Sequence, residues 1–406
     1  MLSGKRGGAA VKSKLSLLAV LLLVFPLLAG CWSRYEIENL AIIGGMGIDR
    51  IQEDGKERYL LTLNVIRPGL SGGGTEGGSR GRPIYWRITA TGDTLVDAEK
   101  NINLRSPRLV FYGHMRFVVI SEKIAREKLP DVIDYLARNP EVRLRILILL
   151  TKERATDALI NYSELENTIA REITEMASIT GSIVSKFKIW DLAQTINQLI
   201  TPGLDPVMAE LMTPVTAPTE PGGGPIRILR FGGGGVIKKD KLVGWLTDGE
   251  TRGYLLGTGE AHQGALPVRL KNQPEPDTNI NLTRSSSKLT VKAEGNKVTA
   301  KIVIHAEGDL GEYNGKEEVA TNEGVFKLET KFREEVEKEV RQSFKKAQEL
   351  NADIFGLGNR LHERNPKAWK KMEKDWYKIL PNVKLEIKVT AHIRRTRAIS
   401  EAFIPK

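Results

Sequence analysis

The stretch "LVFYGHMRFVVISEKIAREKLPDVIDYLARNPEVRLRILILLTK" (residues 109–152) sets the fold class through its changes of rhythm. Leu109 to Ser121 reads as one buried strand, because apolar side chains run almost without interruption. Ser121 stands where a helix cap belongs, and Ala125, Leu129, Val132, Ile133 and Leu136 then recur at helical spacing to draw a single apolar stripe. "VRLRILILLTK" returns to strand.

Working outward from this unit, Leu40 to Asp49 and Arg58 to Arg67 form an opening hairpin across the turn-rich "EDGKE". The segment from Pro68 to Pro83, "PGLSGGGTEGGSRGRP", has too little apolar surface to pack and reads as a long hairpin loop. "IYWRITATG" is a further strand, and "DTLVDAEKNINLRSP" is a helix opened by Asp93 or Thr94. A long helical region covers Ser163 to Leu199, with a break expected at Gly181.

Thr201 to Pro225 is dense in Pro and Gly, and it reads as a connector between two domains, holding at most a short helical turn. Beyond it, "IRILRFGGGGVIKKDKLVGWL" is two strands around a Lys239-Asp240 turn. A second hairpin turns at Gly295-Asn296, with Val298, Ala300, Ile302 and Ile304 on one face. Leu328, Phe332, Val336, Val340 and Phe344 step by four along a helix from Asn322 to Asn351, and "PKAWKKMEKDWYKIL" is a second helix. Leu385, Ile387, Val389, Ala391 and Ile393 alternate with polar residues in a last, half-buried strand. The fold class is therefore α+β, with mixed or antiparallel sheets and packed helices, divided into domains at 32–200 and 226–400 around the connector 201–225.

The 406 residues contain one cysteine, which excludes an intramolecular disulfide and a cysteine zinc cage. Lys5, Arg6, Lys12 and Lys14 precede an uncharged run from Leu15 to Ala29, the layout of an export signal over residues 1–30. That run is short of the roughly 20 apolar residues a spanning helix needs. It ends in Leu28-Ala29-Gly30-Cys31, which resembles the bacterial lipobox. Cleavage after Gly30 would leave Cys31 as the N-terminus, carrying S-diacylglycerol and an N-acyl group. Two or three acyl chains hold a protein to a bilayer where one does not. Losing the four early cations lowers the net charge from +11 to +7, a diffuse surplus that suits a place beside an anionic membrane and argues against nucleic acid.

A search for chemistry finds none. His114, His262, His305, His362 and His392 show no metal-ligand spacing, and "HERNP" lacks the second histidine of a zincin helix. Gly69-Leu70-Ser71-Gly72-Gly73 matches a nucleophile elbow by letter but sits in floppy glycine. "GGMG" at Gly44 and "GGGG" at Gly232 fit neither a dinucleotide nor a phosphate loop, and they mark close packing or bulges in strands. The lysine- and glutamate-rich helix Lys327 to Glu349 reads as a solvated face. No cofactor, metal or enzymatic activity is expected.

The stretch "GCWSRYEIENLAIIGGMGID" resembles the start of mature Ger(x)C family spore germination lipoproteins, which open with Cys-Trp, pass through Glu-Ile or Glu-Leu, and reach a strand ending in Gly-Ile-Asp. Residues 112–152 resemble the family's N-terminal domain. "KKDKLVGWLTDGETRGYLLG", "ADIFGLGNRLHERNPKAWKKM" and "VTAHIRRTR" resemble its C-terminal domain. The resemblance implies an α+β fold of about three structural domains and no enzymatic activity. It also implies a C subunit of a nutrient germinant receptor, lipid-anchored through Cys31 to the outer face of the inner spore membrane beside A-type and B-type membrane subunits. The alternative is a solute-binding lipoprotein of an uptake system, which wants two lobes of repeated βαβ units around a cleft. A surface hydrolase, the third class, lacks convergent catalytic groups.

Overall fold

The computed structural model describes Leu18 and residues 36–66, 85–159, 166–216, 226–270, 277–295, 297–313 and 321–395. Apart from Leu18, the segment read as an export signal lies outside the described residues, as do Cys31, the loop at 68–83 and residues 217–225 of the connector. The chain falls into two units, Met1–Leu40 and Ala41–Lys406.

β1 (Leu40–Glu53) and β2 (Lys56–Ile66) make the expected hairpin, closed by Asp54 and Gly55 at positive φ. β3 (Tyr85–Gly92) pairs antiparallel with β2, and α1 (Leu95–Asn103) follows. Of the two expected caps, Thr94 serves: its hydroxyl accepts from Asp97 N at 3.1 Å.

Leu109–Ser121 is two strands, β4 (Leu109–Phe111) and β5 (Phe117–Ser121), parted by a turn in which Met115 N donates to Tyr112 O. Gly113 and His114 break the apolar run there, and a single-strand reading passes over them. The next helix is also double, α2 (Glu122–Glu127) and α3 (Leu129–Arg138). Pro130 has no N–H to offer Arg126, so the two part at Lys128. Ser121 holds the cap position, yet its hydroxyl makes no cap bond. The stripe itself is buried throughout.

β6 (Leu147–Thr151) and α4 (Ala155–Ala158) come next. α5 (Ile169–Val184) runs straight through Gly181 and ends at Ser185, whose φ of 49° is left-handed. β7 (Trp190–Asp191) then separates it from α6 (Leu192–Ile200), where Asp191 and Gln194 form a capping box. The expected helical region is thus two helices, and the break falls at Ser185, four residues after the expected glycine.

The connector reading is corrected more deeply. Residues 201–216 contain β8 (Val207–Met212), a buried strand, and β9 (Val215–Thr216). Pro202, Gly203, Pro206 and Pro214 punctuate both sides of β8 and disguise it as loop. β10 (Ile226–Arg227) pairs with β9, and β11 (Arg230–Lys238) and β12 (Lys241–Leu246) make the expected hairpin. The first sheet runs β12-β11-β8-β6-β5-β1-β2-β3, with β4 and β7 at its margins. Its centre, β8-β6-β5-β1, is parallel. The glycine clusters behave as expected: the Phe117 ring lies where a Gly45 side chain would go, and Gly233, at φ +63°, sits in a bulge of β11.

α7 (Asp248–Thr258), which the sequence reading left unassigned, leads into β13 (Gly264–Val268). The long hairpin β14 (Thr278–Glu294) and β15 (Lys297–Tyr313) precedes α8 (Asn322–Glu349). "PKAWKKMEKDWYKIL" is broken: after α9 (Leu357–Arg364) come α10 (Pro366–Met372), a 3-10 turn at Glu373–Asp375 and α11 (Trp376–Ile379). β16 (Lys384–Arg395) closes the second sheet, β13-β14-β15-β16, pairing parallel with β15. Phe332, Val336, Val340 and Phe344 of α8 pack on Ile302, Ile304 and Val389. Each such apolar side chain contributes roughly 1.5–3 kcal/mol on burial. Arg252 of α7 and Glu339 of α8 form a buried ion pair beside that core, with Arg252 Nε donating to Glu339 Oε2 at 2.8 Å. Mixed sheets carrying packed helices make the chain α+β.

Candidate functional site

The Gly47-Ile48-Asp49 step ends its apolar run on a carboxylate only 2 % exposed. Asp49 accepts from Ala155 N at 2.7 Å, Thr156 N at 2.9 Å and Thr156 Oγ1 at 2.8 Å, which fixes the start of α4 against β1. Its role is structural, because every donor it meets belongs to the turn it holds.

A cavity of about 830 Å³ opens where the far ends of β1 and β2, helix α1 and helix α3 meet. Three tyrosines build its wall from separate elements: Tyr59 on β2, Tyr112 after β4 and Tyr135 on α3. Each is tied to a carboxylate. Tyr59 donates to Asp131 at 3.0 Å, Tyr135 donates to Glu99 at 2.8 Å, and Glu141 accepts from Tyr112 N at 3.0 Å. The Tyr112 hydroxyl lies beside that of Tyr135 without a well-formed hydrogen bond to it. Burial, then Asp131, pushes the Tyr59 phenol up to about 12. Burial first, then charged or polar neighbours, raises Tyr112 and Tyr135 further still. All three therefore stay protonated at neutral pH, and the Tyr59 and Tyr135 hydroxyls serve as hydrogen-bond donors. Arg50 pairs with Glu57, Lys128 with Asp131 and Arg138 with Asp134 around the rim. The cavity is a recess of mixed lining, in which Leu95, Val96, Leu109 and Val110 stand beside these polar groups.

A second constellation lies between β8 and the helices after α8. Asp205 and Asp353 are both buried and grip each other through the backbone. Asp205 N donates to Asp353 O at 3.0 Å, and Asp353 N donates to Asp205 Oδ2 at 2.7 Å. Asp353 also accepts from Leu357 N, Gly358 N and the Trp376 indole, while Asp205 accepts from Lys239 N and the Tyr377 hydroxyl. Asn359 N donates to Gly203 O alongside. Burial outweighs these donors and pushes the Asp353 carboxyl up to about 7. Asp205 is raised too, for the same reason.

Of the residues singled out in the sequence, Cys31 and the Gly69–Gly73 match lie outside the described residues. His114, His262, His305, His362 and His392 are all exposed on separate elements. Among the described residues, no cluster of three or more His, Cys, Asp or Glu side chains could hold a metal ion. No helix among them is long and apolar enough to cross a membrane.

The geometry has relatives. Residues 33–212 match the model for the spore germination protein N-terminal domain, and residues 232–397 match that for spore germination B3/GerAC like, C-terminal. Spore germination protein KC of Bacillus subtilis (strain 168) is 27% identical, over 94% of this chain and 95% of that protein. Spore germination protein YndF of the same organism is 27% identical, over 90% and 93%. The crystal structure of the GerBC protein superposes with a TM-score of 0.52 at 17% identity, covering 86% of this chain and 97% of that one. The first matched segment ends with β8 and the second begins within β11, so Asp205 lies in the one and Asp353 in the other. The chain belongs to the Ger(x)C family of spore germination proteins.

Proposed function

We propose that this chain is a non-catalytic lipoprotein subunit of a spore nutrient germinant receptor, tethered by lipid on Cys31 to the outer face of the inner spore membrane. It works there with integral-membrane A-type and B-type subunits. The observation that carries this reading is the lone thiol, placed after Leu28-Ala29-Gly30 and an uncharged run, at the head of a chain matched by germination-protein models in both halves. A tether confines the body to the membrane surface and raises its effective concentration for partner subunits without demanding strong intrinsic affinity. The strand order counts against the solute-binding alternative, since one sheet takes strands from both halves of the chain instead of dividing into two lobes.

The test is Cys31→Ala in spores. Membrane fractionation should show the variant released from the membrane and nutrient-triggered germination sharply reduced, while its thermal unfolding midpoint matches the parent's. A variant that stays membrane-bound and germinates normally would sink the reading. Detergent extraction of the parent should bring down the A-type and B-type subunits with it.

A further inference from the structure

The second sheet turns one face to the helices and leaves the other bare. Burial alternates along β15 from Lys297 to Gly308, with Val298, Ala300, Ile302, Ile304 and Ala306 inward. The register then fixes what shares the outward face: Lys288 beside Val303 and Lys388, Thr290 beside Lys301 and Glu386, Lys292 beside Thr299 and Lys384. Arg284, Lys288, Lys292, Lys301, Lys384 and Lys388 all stand exposed there. None of the six is ion-paired among the described residues.

The acidic residues on this face do not offset them. Glu307 is taken by Arg394, whose hydrogen bond holds its carboxyl below the usual range, and Glu294 faces Lys297 across the turn. Glu386 stands beside Lys301. Neighbouring strands lie about 4.8 Å apart and every fourth residue about 13.6 Å apart along each, so the lysines of β14, β15 and β16 share one broad exposed face. Its charge complements an extended anionic surface. The face carries no Phe, Tyr or Trp on which bases of a single-stranded nucleic acid would stack.

We propose that the outward face of β14, β15 and β16 docks on the headgroups of an anionic phospholipid bilayer. The proposal rests on the membrane-anchored reading of Cys31 and deepens it: the lipid holds the protein near the surface, and the lysine-bearing face orients the body on it. Negative lipid potential attracts such clusters only within a Debye length, so contact must be close and sensitive to salt.

The lipidated full-length protein is reconstituted in vesicles of phosphatidylcholine alone and of phosphatidylcholine with phosphatidylglycerol, and acetylation of each lysine is followed by mass spectrometry. Lys288, Lys292, Lys301, Lys384 and Lys388 should label several-fold more slowly on the anionic vesicles, while the exposed Lys367, Lys370 and Lys374 label alike on both. Raising salt to about 1 M, where the Debye length falls to about 3 Å, should erase the difference. Lys288→Gln, Lys301→Gln and Lys388→Gln together, all at exposed positions, should abolish protection at Lys292 and Lys384. Equal labelling on both vesicles, or protection surviving in the triple variant, overturns the proposal. Protection by polyuridylate but not by anionic vesicles overturns it as well and assigns the face to a soluble polyanion. Flotation with the neutral vesicles judges the anchor separately: a protein that does not float removes the anchored reading, and its labelling on added anionic vesicles still decides the face.

Discussion

The first sheet is covered on both faces and the second on one. In β5, Phe117 and Val119 point into a core with α5 while Val118 and Ile120 point into another with α2 and α3. In β15 and β16 every second residue reaches water. Parallel strands at the centre of a sheet are joined by crossovers that cover both sides, whereas the second sheet, mainly antiparallel hairpin, needs only the α8 side closed. Mutational tolerance should follow this division, with the first sheet intolerant at consecutive positions and the second at alternate ones.

The largest effect tests the doubly covered side. Phe117→Ala should destabilise the protein by about 3–5 kcal/mol, because the ring fills space against Gly45 and the surrounding core. Urea unfolding would measure it, and a loss below about 1 kcal/mol would show that face to be loosely packed. The next effect sits between the sheets. Burial pushes the folded Asp353 carboxyl up to about 7, so the native state binds its proton more tightly than the unfolded chain does. Its contribution is fully present at low pH and is lost as pH rises through about 7. Stability of the parent should therefore fall between about pH 4 and pH 7 and level off above, and Asp353→Asn should flatten that fall even though it lowers stability overall. Parallel pH profiles for parent and variant would break the assignment. The smallest effect lies on the bare face, where Lys301→Thr should change stability by no more than about 0.5 kcal/mol.

The same division explains what could be read from the sequence. β15 and β16 were legible because one wet face imposes a period of two, and α8 because its stripe steps by four over most of its length. β5 was overrun and β8 missed because a strand buried on both faces carries no alternation, so only its punctuation remains to read. Pro130 and Ser185 ended helices through local backbone geometry that an apolar pattern does not register. The cavity was invisible because Tyr59, Tyr112 and Tyr135 come from separate elements. The grip was invisible because Asp205 and Asp353 lie 148 residues apart. Asp49 ends a legible Gly-Ile-Asp step, but its partners Ala155 and Thr156 lie more than 100 residues away. The reading of Cys31, by contrast, rests on adjacent residues of the sequence and needs no fold.

One consequence follows from β11 pairing with β8. The strands either side of the linker complete a single sheet, so the two matched segments are not separable beads on a string. A gene cut at residue 217 would end its first product with β8 as a naked edge, open to pairing with other chains. Its second product would lose the strand that β11 pairs with. The two halves therefore share a row of backbone hydrogen bonds, and neither can leave the other without exposing a strand of the common sheet.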